Sequence, residues 1–289
     1  MDQSVRARRL GNKFEPIVPS SRHAWHFIRS NRIEHKLPAF LVGGLWLSRL
    51  NMFKDEWEGK LPLRNLGLLT KWLRPDDVKA VIVEYEKAAA TGFASCWHLS
   101  DGHPDPAMWE KSNLGNKHKG IALRTNYDLL KEELRPLIAK SGDGPLHISE
   151  VQYIDHVDPK DEPLPEYQTL EVAFSVRKDY KLQKELRGFL TTTWGAAAEA
   201  LPSKRNPWGG PLVPPELIHG KLPTAPSNLK NSIPEPVQRG EAIVPCINPK
   251  VLIDKILVGY RMNQDERDQL MAMLQKAGLE DRVEFETKP

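Results

Sequence analysis

Residues 174–193 read FSVRKDYKLQKELRGFLTTT. An apolar opening and a basic pair, Arg177 and Lys178, give way to alternation from Leu182 onward. Leu182, Lys184, Leu186 and Gly188 fall on one side; Gln183, Glu185, Arg187 and Phe189 fall on the other. The run ends in three β-branched residues, Thr191, Thr192 and Thr193. A period of two with β-branched residues predicts a strand that starts near Leu182. Gln183, Glu185 and Arg187 then share one face. Three successive polar groups on a strand face are wasted in a core, so they lie at a solvated edge or line a cleft.

Working outward, residues 75–90 predict the clearest helix. Pro75 suits its first turn, Asp76 and Asp77 favour its positive end, and Gly92 suits its stop. Val78, Val81, Ile82, Tyr85 and Ala89 give it one apolar face. Further helices are expected around Met108 and Trp109, after Thr125 as a cap, from Asn248 and Pro249, and over 263–277, where Glu266 completes a capping box and Gly278 ends the helix. Strands are expected over 39–48 with a bend at Gly43 and Gly44, and over 93–99, 120–123, 147–154, 170–176, 256–258 and 283–285. The sum is an α+β fold: a mixed, largely antiparallel sheet, continuous or split, with helices packed on it. Residues 1–22 read as a basic flexible arm and 23–286 as a single domain. Residues 201–236, dense in proline and glycine without periodicity, read as a surface excursion.

The 289 residues suffice for one large core or two modest ones. A net charge of +3 is too weak to imply nucleic acid by itself. The two cysteines, Cys96 and Cys246, form neither a disulfide framework nor a zinc spacing, which fits a reducing compartment. The opening MDQSVRARRLGNKF has basic residues but no apolar run behind them, unlike a signal peptide, and the longest apolar segment, 38–47, is too short to span a bilayer. A cytoplasmic protein without a membrane partner is expected.

Several chemistries find no footing. There is no GxSxG, P-loop or Rossmann fingerprint, and neither cysteine sits in a nucleophile motif. His98, Asp101, His103 and Asp105, with Cys96 nearby, have metal-ligating chemistry, but they occupy a polar loop where such residues serve as turn formers and caps. Among the tryptophans, Trp46 and Trp97 lie in apolar strands and are expected in the core, whereas Trp57 and Trp109 have polar surroundings that suit a pocket. In the loop Asp55-Glu56-Trp57-Glu58-Gly59, Asp55 is expected to anchor Arg49 or Arg187.

Three segments belong together: Trp25-His26-Phe27 with GLWLSRLNMFKDEWEG (44–59); CWHLSDGHPDPAMWEKSNLGNKHKGIALRT (96–125); and VQYID (151–155) with RKDYKLQKELRGF (177–189). In this order they resemble a widespread bacterial family catalogued as a domain of unknown function, over roughly residues 23–195 and 247–286. Where that family usually has arginine in its opening aromatic trio, this chain has His26; where it usually has the first glutamate of an ExE pair, this chain has Gln183.

His26 on a first strand, Ser48 on the next and Gln183-Lys184-Glu185 on a later one are also similar to the layout of ADP-ribosyltransferases. That resemblance implies NAD as substrate, in a toxin, phage-conflict or defence setting. Glu185, Gln183 and Ser48 would be catalytic, and His26, Trp25, Arg49 and Arg187 would hold the dinucleotide. Glutamate would stabilise the cationic sugar as nicotinamide leaves, and the acceptor would be protein or nucleic acid. Two other readings stay open. In a metal-dependent nuclease, Asp55, Glu58, Glu185 and Lys178 would gather around magnesium, with basic Arg6, Arg8, Arg9 and Lys13 on phosphates. In a non-enzymatic module, the tryptophans would form a recognition pocket for a ligand or nucleic acid.

Overall fold

The computed structural model describes residues 17–19, 23–112, 119–135, 146–158, 169–191, 241–245 and 247–288. The expected excursion at 201–236 and most of the basic arm lie outside them. Of the arm, Ile17 is held against the domain: its N–H donates to Ser149 Oγ at 2.8 Å, and its carbonyl accepts from Glu150 N at 3.0 Å.

The described elements are β1 (Ala24–Arg29), α1 (Ser30–Leu41), β2 (Gly44–Arg49), α2 (Leu63–Trp72), α3 (Pro75–Thr91), β3 (Gly92–Leu99), α4 (Pro106–Ser112), β4 (Gly120–Thr125), α5 (Tyr127–Glu133), β5 (Leu146–Glu150), β6 (Gln152–Ile154), α6 (Thr169–Ala173), β7 (Ser175–Arg177), β8 (Glu185–Thr191), β9 (Glu241–Pro245), α7 (Pro249–Leu252), β10 (Lys255–Val258), α8 (Gln264–Ala277) and β11 (Val283–Phe285). Among the described residues, nine strands form the main sheet, in the order β11-β10-β4-β1-β3-β2-β9, with β8 also paired to β3 and β5 paired to β8. Every pairing in it is antiparallel except β10 with β11, and β6 and β7 form a separate parallel pair. The fold is α+β with a mixed, mostly antiparallel sheet, as the sequence predicts. No helix among the described residues is long and apolar enough to cross a membrane.

Helices cover both faces of the sheet. On one face, Ile33, Leu37 and Phe40 of α1 and Leu270 and Leu274 of α8 pack with Leu45, Leu47, Trp97, Leu186 and Leu190 of the strands. On the other, Ala89 of α3 and Ala173 of α6 meet Ala94 and Phe189. The expected apolar face of α3 is the buried one: Val78, Val81, Tyr85 and Ala89 are all buried. The capping box of Asn263 and Glu266 is formed, and Gly278 ends α8 in the left-handed region at φ 65°.

Four expectations are corrected. Residues 39–41 end a helix rather than start a strand; Ile33, Leu37 and Phe40 recur at helical spacing, and Pro38 inside the helix obscures the pattern. Residues 170–173 are likewise helical, in an element too short to show a period. Residues 147–154 do not form one strand: they break at Val151, where the chain leaves β8 for the small sheet. Asn126, not Thr125, caps α5, its side chain accepting from Leu129 N.

Gly43 turns the chain between α1 and β2 at φ 97°, where a Cβ would lie 2.6 Å from the carbonyl oxygen of Ile247. Gly67, within α2, has open space around the same position. Gly43→Ala is therefore expected to destabilise the fold by about 1–3 kcal/mol. Gly67→Ala should stabilise it by up to about 1 kcal/mol through helix propensity. Urea denaturation of both variants checks the pair; equal effects would contradict it.

Candidate functional site

Strand β3 has one edge fully engaged, pairing with β8 from Gly92↔Thr191 to His98↔Glu185. Its other edge is shared by two strands. β1 takes Leu99 and His98, through Ala24 and Trp25, and β2 takes Ala94 and Phe93, through Ser48 and Arg49. Ser95, Cys96 and Trp97 have no strand partner on that edge. β1 and β2 diverge there, and α1 links them. The result is a wedge-shaped cavity of about 380 Å³, lined by residues 25–29 of β1 and 94–98 of β3, with Trp46 and Ser48 of β2, Glu185 at the start of β8 and Gln183 just before it. Five consecutive residues of one strand can line one space only along a free backbone edge, because their side chains alternate between faces. The volume falls in the range of small-molecule sites.

His26 bridges part of the gap. Its Nδ1 lies 3.0 Å from the carbonyl oxygen of Cys96, one of the backbone groups without a strand partner. A carbonyl can only accept, so Nδ1 carries the proton and Nε2 is left as an acceptor. Burial, and then the charge of Lys36, lower the His26 pKa to about 4, so the ring is neutral at neutral pH. His26 can therefore hold a ligand as a neutral hydrogen-bonding group, accepting from a hydroxyl, and not as a cation. The ring also packs on Trp97, with centroids 5.0 Å apart.

Glu185 and Arg187 do share a face, but not at a sheet edge, because β8 lies between β3 and β5. Both are buried. Arg187 Nε donates to Glu185 Oε1 at 2.6 Å. Its Nη1 and Nη2 grip the Glu58 carboxylate at 2.9 and 3.1 Å, and Nη1 also donates to Ala173 O at 2.6 Å. This fork is charge-assisted and bidentate. Two carboxylates face one guanidinium. Burial pushes the Glu58 carboxyl up, while Arg187 draws it down. Burial and the neighbouring Glu185 push the Cys96 thiol well up, so it stays protonated and hydrogen-bonds Glu185.

Gln183 is not on the strand. Residues 178–183 form a 3-10 helix, and Lys184 turns the chain in the left-handed conformation at φ 41°. Leu182 is correspondingly exposed. Gln183 still reaches the cavity, and its carbonyl accepts from His98 Nδ1 at 2.6 Å. The structure thus brings His26, Trp25, Ser48, Gln183 and Glu185 to one cavity.

Arg49 and Arg187 do not line it. Alternation along β2 turns Arg49 away from Ser48, and its guanidinium lies over the Phe93 ring at 5.4 Å. Arg187 is fully buried and bound to protein groups, so it positions Glu185 instead of touching a ligand. Asp55 pairs with Arg177 at 3.1 Å, and Glu58 takes Arg187 in its place. Trp46 and Trp97 are buried in the core, as expected, and also line the cavity, whereas Trp57 and Trp109, expected in a pocket, pack on His156 and edge-on against Phe27. The acids proposed for magnesium converge on arginines, and no group of three or more His, Cys, Asp or Glu among the described residues is placed to hold a metal. His98 is committed to Gln183 O and to the Asp105 N–H. Sequence reading missed Arg29, Arg32 and Lys36, which line the cavity from the end of β1 and from α1.

Comparison of the chain with family models, with curated proteins and with solved structures gives no match. The resemblances drawn above rest on the quoted residues alone.

Two predictions follow from this geometry. Arg187→Met leaves two buried carboxylates facing no cation and should cost about 3–5 kcal/mol. Adding Glu58→Leu should recover part of that loss in a double-mutant cycle followed by chemical denaturation. Strict additivity would contradict the coupling. For pH, the folded state holds His26 and the buried His156 at about 4, against an ordinary 6.5, mainly through burial. The unfolded chain therefore binds protons first, so these residues' contribution is complete above pH 6.5 and is lost as pH falls toward about 4. His26→Gln should flatten that decline; a slope identical to wild type would show that His26 is not the buried neutral group described.

Proposed function

We propose that the chain is an ADP-ribosyltransferase-like enzyme that uses NAD in the cavity between β1 and β3. The observation that carries this reading is the polarity of the cavity. Glu185, backed by a cluster with more carboxylates than guanidinium groups, sits at one part of the lining, and Arg29, Arg32 and Lys36 sit at another. A ligand that suits both is anionic in one portion and develops positive charge in another. NAD has this character: its pyrophosphate is anionic, and its nicotinamide ribose becomes cationic as the glycosidic bond breaks.

In this reading the bond between ribose C1′ and the nicotinamide nitrogen breaks, and its electron pair leaves with nicotinamide. Glu185 accepts a hydrogen bond from a ribose hydroxyl and stabilises the oxocarbenium-like centre. Arg187 and the Cys96 thiol keep that carboxylate oriented. His26, as an acceptor at Nε2, binds a second hydroxyl, and the Ser48 hydroxyl helps to orient the sugar. The acceptor's lone pair then forms the new bond to C1′, and its proton passes to solvent. Gln183, close to Glu185 on the cavity lining, is suited to contact the acceptor, a protein or a nucleic acid. A non-enzymatic module remains the second reading, favoured by the aromatic and cationic lining, which would bind an aromatic anion whether or not chemistry follows.

Glu185→Gln should lower nicotinamide release from NAD by about 10²–10³-fold, the usual loss for removing one electrostatic stabiliser. It should also cost about 1–3 kcal/mol of stability, because the residue is a buried partner of Arg187. Rates must therefore be compared at equal folded concentration. Glu266→Gln, in the capping box of α8, should leave the rate unchanged. Wild-type turnover with no loss in Glu185→Gln would remove Glu185 from the chemistry. Binding of NAD without turnover, under any acceptor, would favour the module.

A further inference from the structure

We infer that Arg29, Arg32 and Lys36 form a phosphate-binding stripe at the mouth of the cavity, selecting ligands that carry a phosphate or diphosphate next to an aromatic base. The inference uses the cavity of the preceding reading but not its chemistry.

The placement follows from the fold. Arg29 is the last residue of β1 and the N-cap of α1, and Arg32 and Lys36 follow at three and four residues. Side chains at that spacing share one side of a helix. The apolar residues Ile33, Leu37 and Phe40 occupy the neighbouring stripe and face the core, so the cations are turned toward the divergence of β1 and β2. All three line the cavity and are half-buried. Half-burial reduces the screening of their charge by water.

A further observation points to an anionic ligand. Burial and the nearby Arg32 lower the pKa of Arg29, as expected of cations held close together. A phosphate would relieve the repulsion between the cations, and arginine's planar fork matches its oxygens.

The aromatic part has a wall to meet. The Trp46 indole is tied to α1 by its Nε1 donating to Lys36 O at 3.0 Å, and Lys36 Nζ lies 5.4 Å from the centre of its ring. Trp97 is fixed by its Nε1 donating to Ser95 Oγ at 3.1 Å. Both indoles are buried and meet the cavity only with the part of each ring left on its lining, which is held in place at little cost in side-chain entropy. The stripe and the wall together describe a nucleotide better than a bare sugar phosphate or an inorganic anion.

The test uses ADP, adenosine and inorganic diphosphate as probes of the full chain, with binding read by calorimetry. The variants are Arg32→Gln, Lys36→Gln and their combination; glutamine retains helix propensity, and thermal unfolding checks the fold. Wild type should bind ADP more tightly than adenosine, and both more tightly than diphosphate binds. Each single substitution should weaken ADP binding by about 10-fold or more, the usual effect of losing a charge-assisted contact, and should leave adenosine binding within about twofold. ADP binding should also weaken with added salt, less steeply in the double variant. Equal losses for ADP and adenosine, an unchanged affinity for ADP, or no ADP binding by wild type would each overturn the inference. Its fate separates from that of the transferase reading. Stripe-dependent ADP binding without NAD turnover would sink the transferase alone. NAD turnover with an unchanged KM in the double variant would sink the stripe alone.

Discussion

One edge of β3 must pair with two strands that leave in different directions. Backbone N–H and C=O groups buried without partners are costly, so a sheet cannot leave three residues of a central strand unpaired without compensation. Here the compensation at Cys96 comes from the His26 ring, whose Nδ1–H occupies the carbonyl that a ladder bond would otherwise use. The remaining opening is the cavity. Its walls are set by the sheet on one side and by α1 on the other, so the site is built on rigid elements.

The buried cluster of Glu58, Arg187 and Glu185 sets the electrostatics. It joins the loop after β2, strand β8 and the carbonyl that ends α6. Burying these charges is costly, and replacing such a cluster by apolar residues often leaves stability unchanged or improved. Stability alone is thus a poor reason for it. Holding one carboxylate in a fixed direction at a cavity wall is a better one, because a preorganised group needs no rearrangement when charge develops next to it. The left-handed Lys184 immediately before Glu185 is a second local cost at the same place.

The legibility of these features in the sequence differed by their range. Caps and stops were readable, since Pro75, Asn263 with Glu266 and Gly278 act on their own neighbours. The shared face of Glu185 and Arg187 was readable from alternation, but Glu58, 129 residues away from Arg187, was not, because that contact exists only after folding. Arg49 could have been set against Ser48: side chains of residues 48 and 49 of one strand point to opposite faces, so only one of the two can reach into a cleft on a given face. The stripe of Arg29, Arg32 and Lys36 was also available in principle, but Pro38 hid the helix that aligns it. Trp46 and Trp97 are buried core residues, as their apolar setting predicts, but that setting did not show that they also line a cavity. At a fork in a sheet, the same apolar strands supply the walls of the site.

Cys96 offers the most direct probe of the central claim, that NAD occupies the cavity against Glu185. It is half-buried, lines the cavity and contacts that carboxylate. Its thiol is held protonated, so modification by a small methanethiosulfonate reagent is slow and is followed by peptide mass spectrometry over an extended time course, with Cys246 read in the same sample. With NAD at about ten times its dissociation constant, occupancy should slow Cys96 labelling by about tenfold by mass action, while Cys246 labelling stays the same. Cys96 labelling that proceeds at the same rate at every NAD concentration would contradict the account.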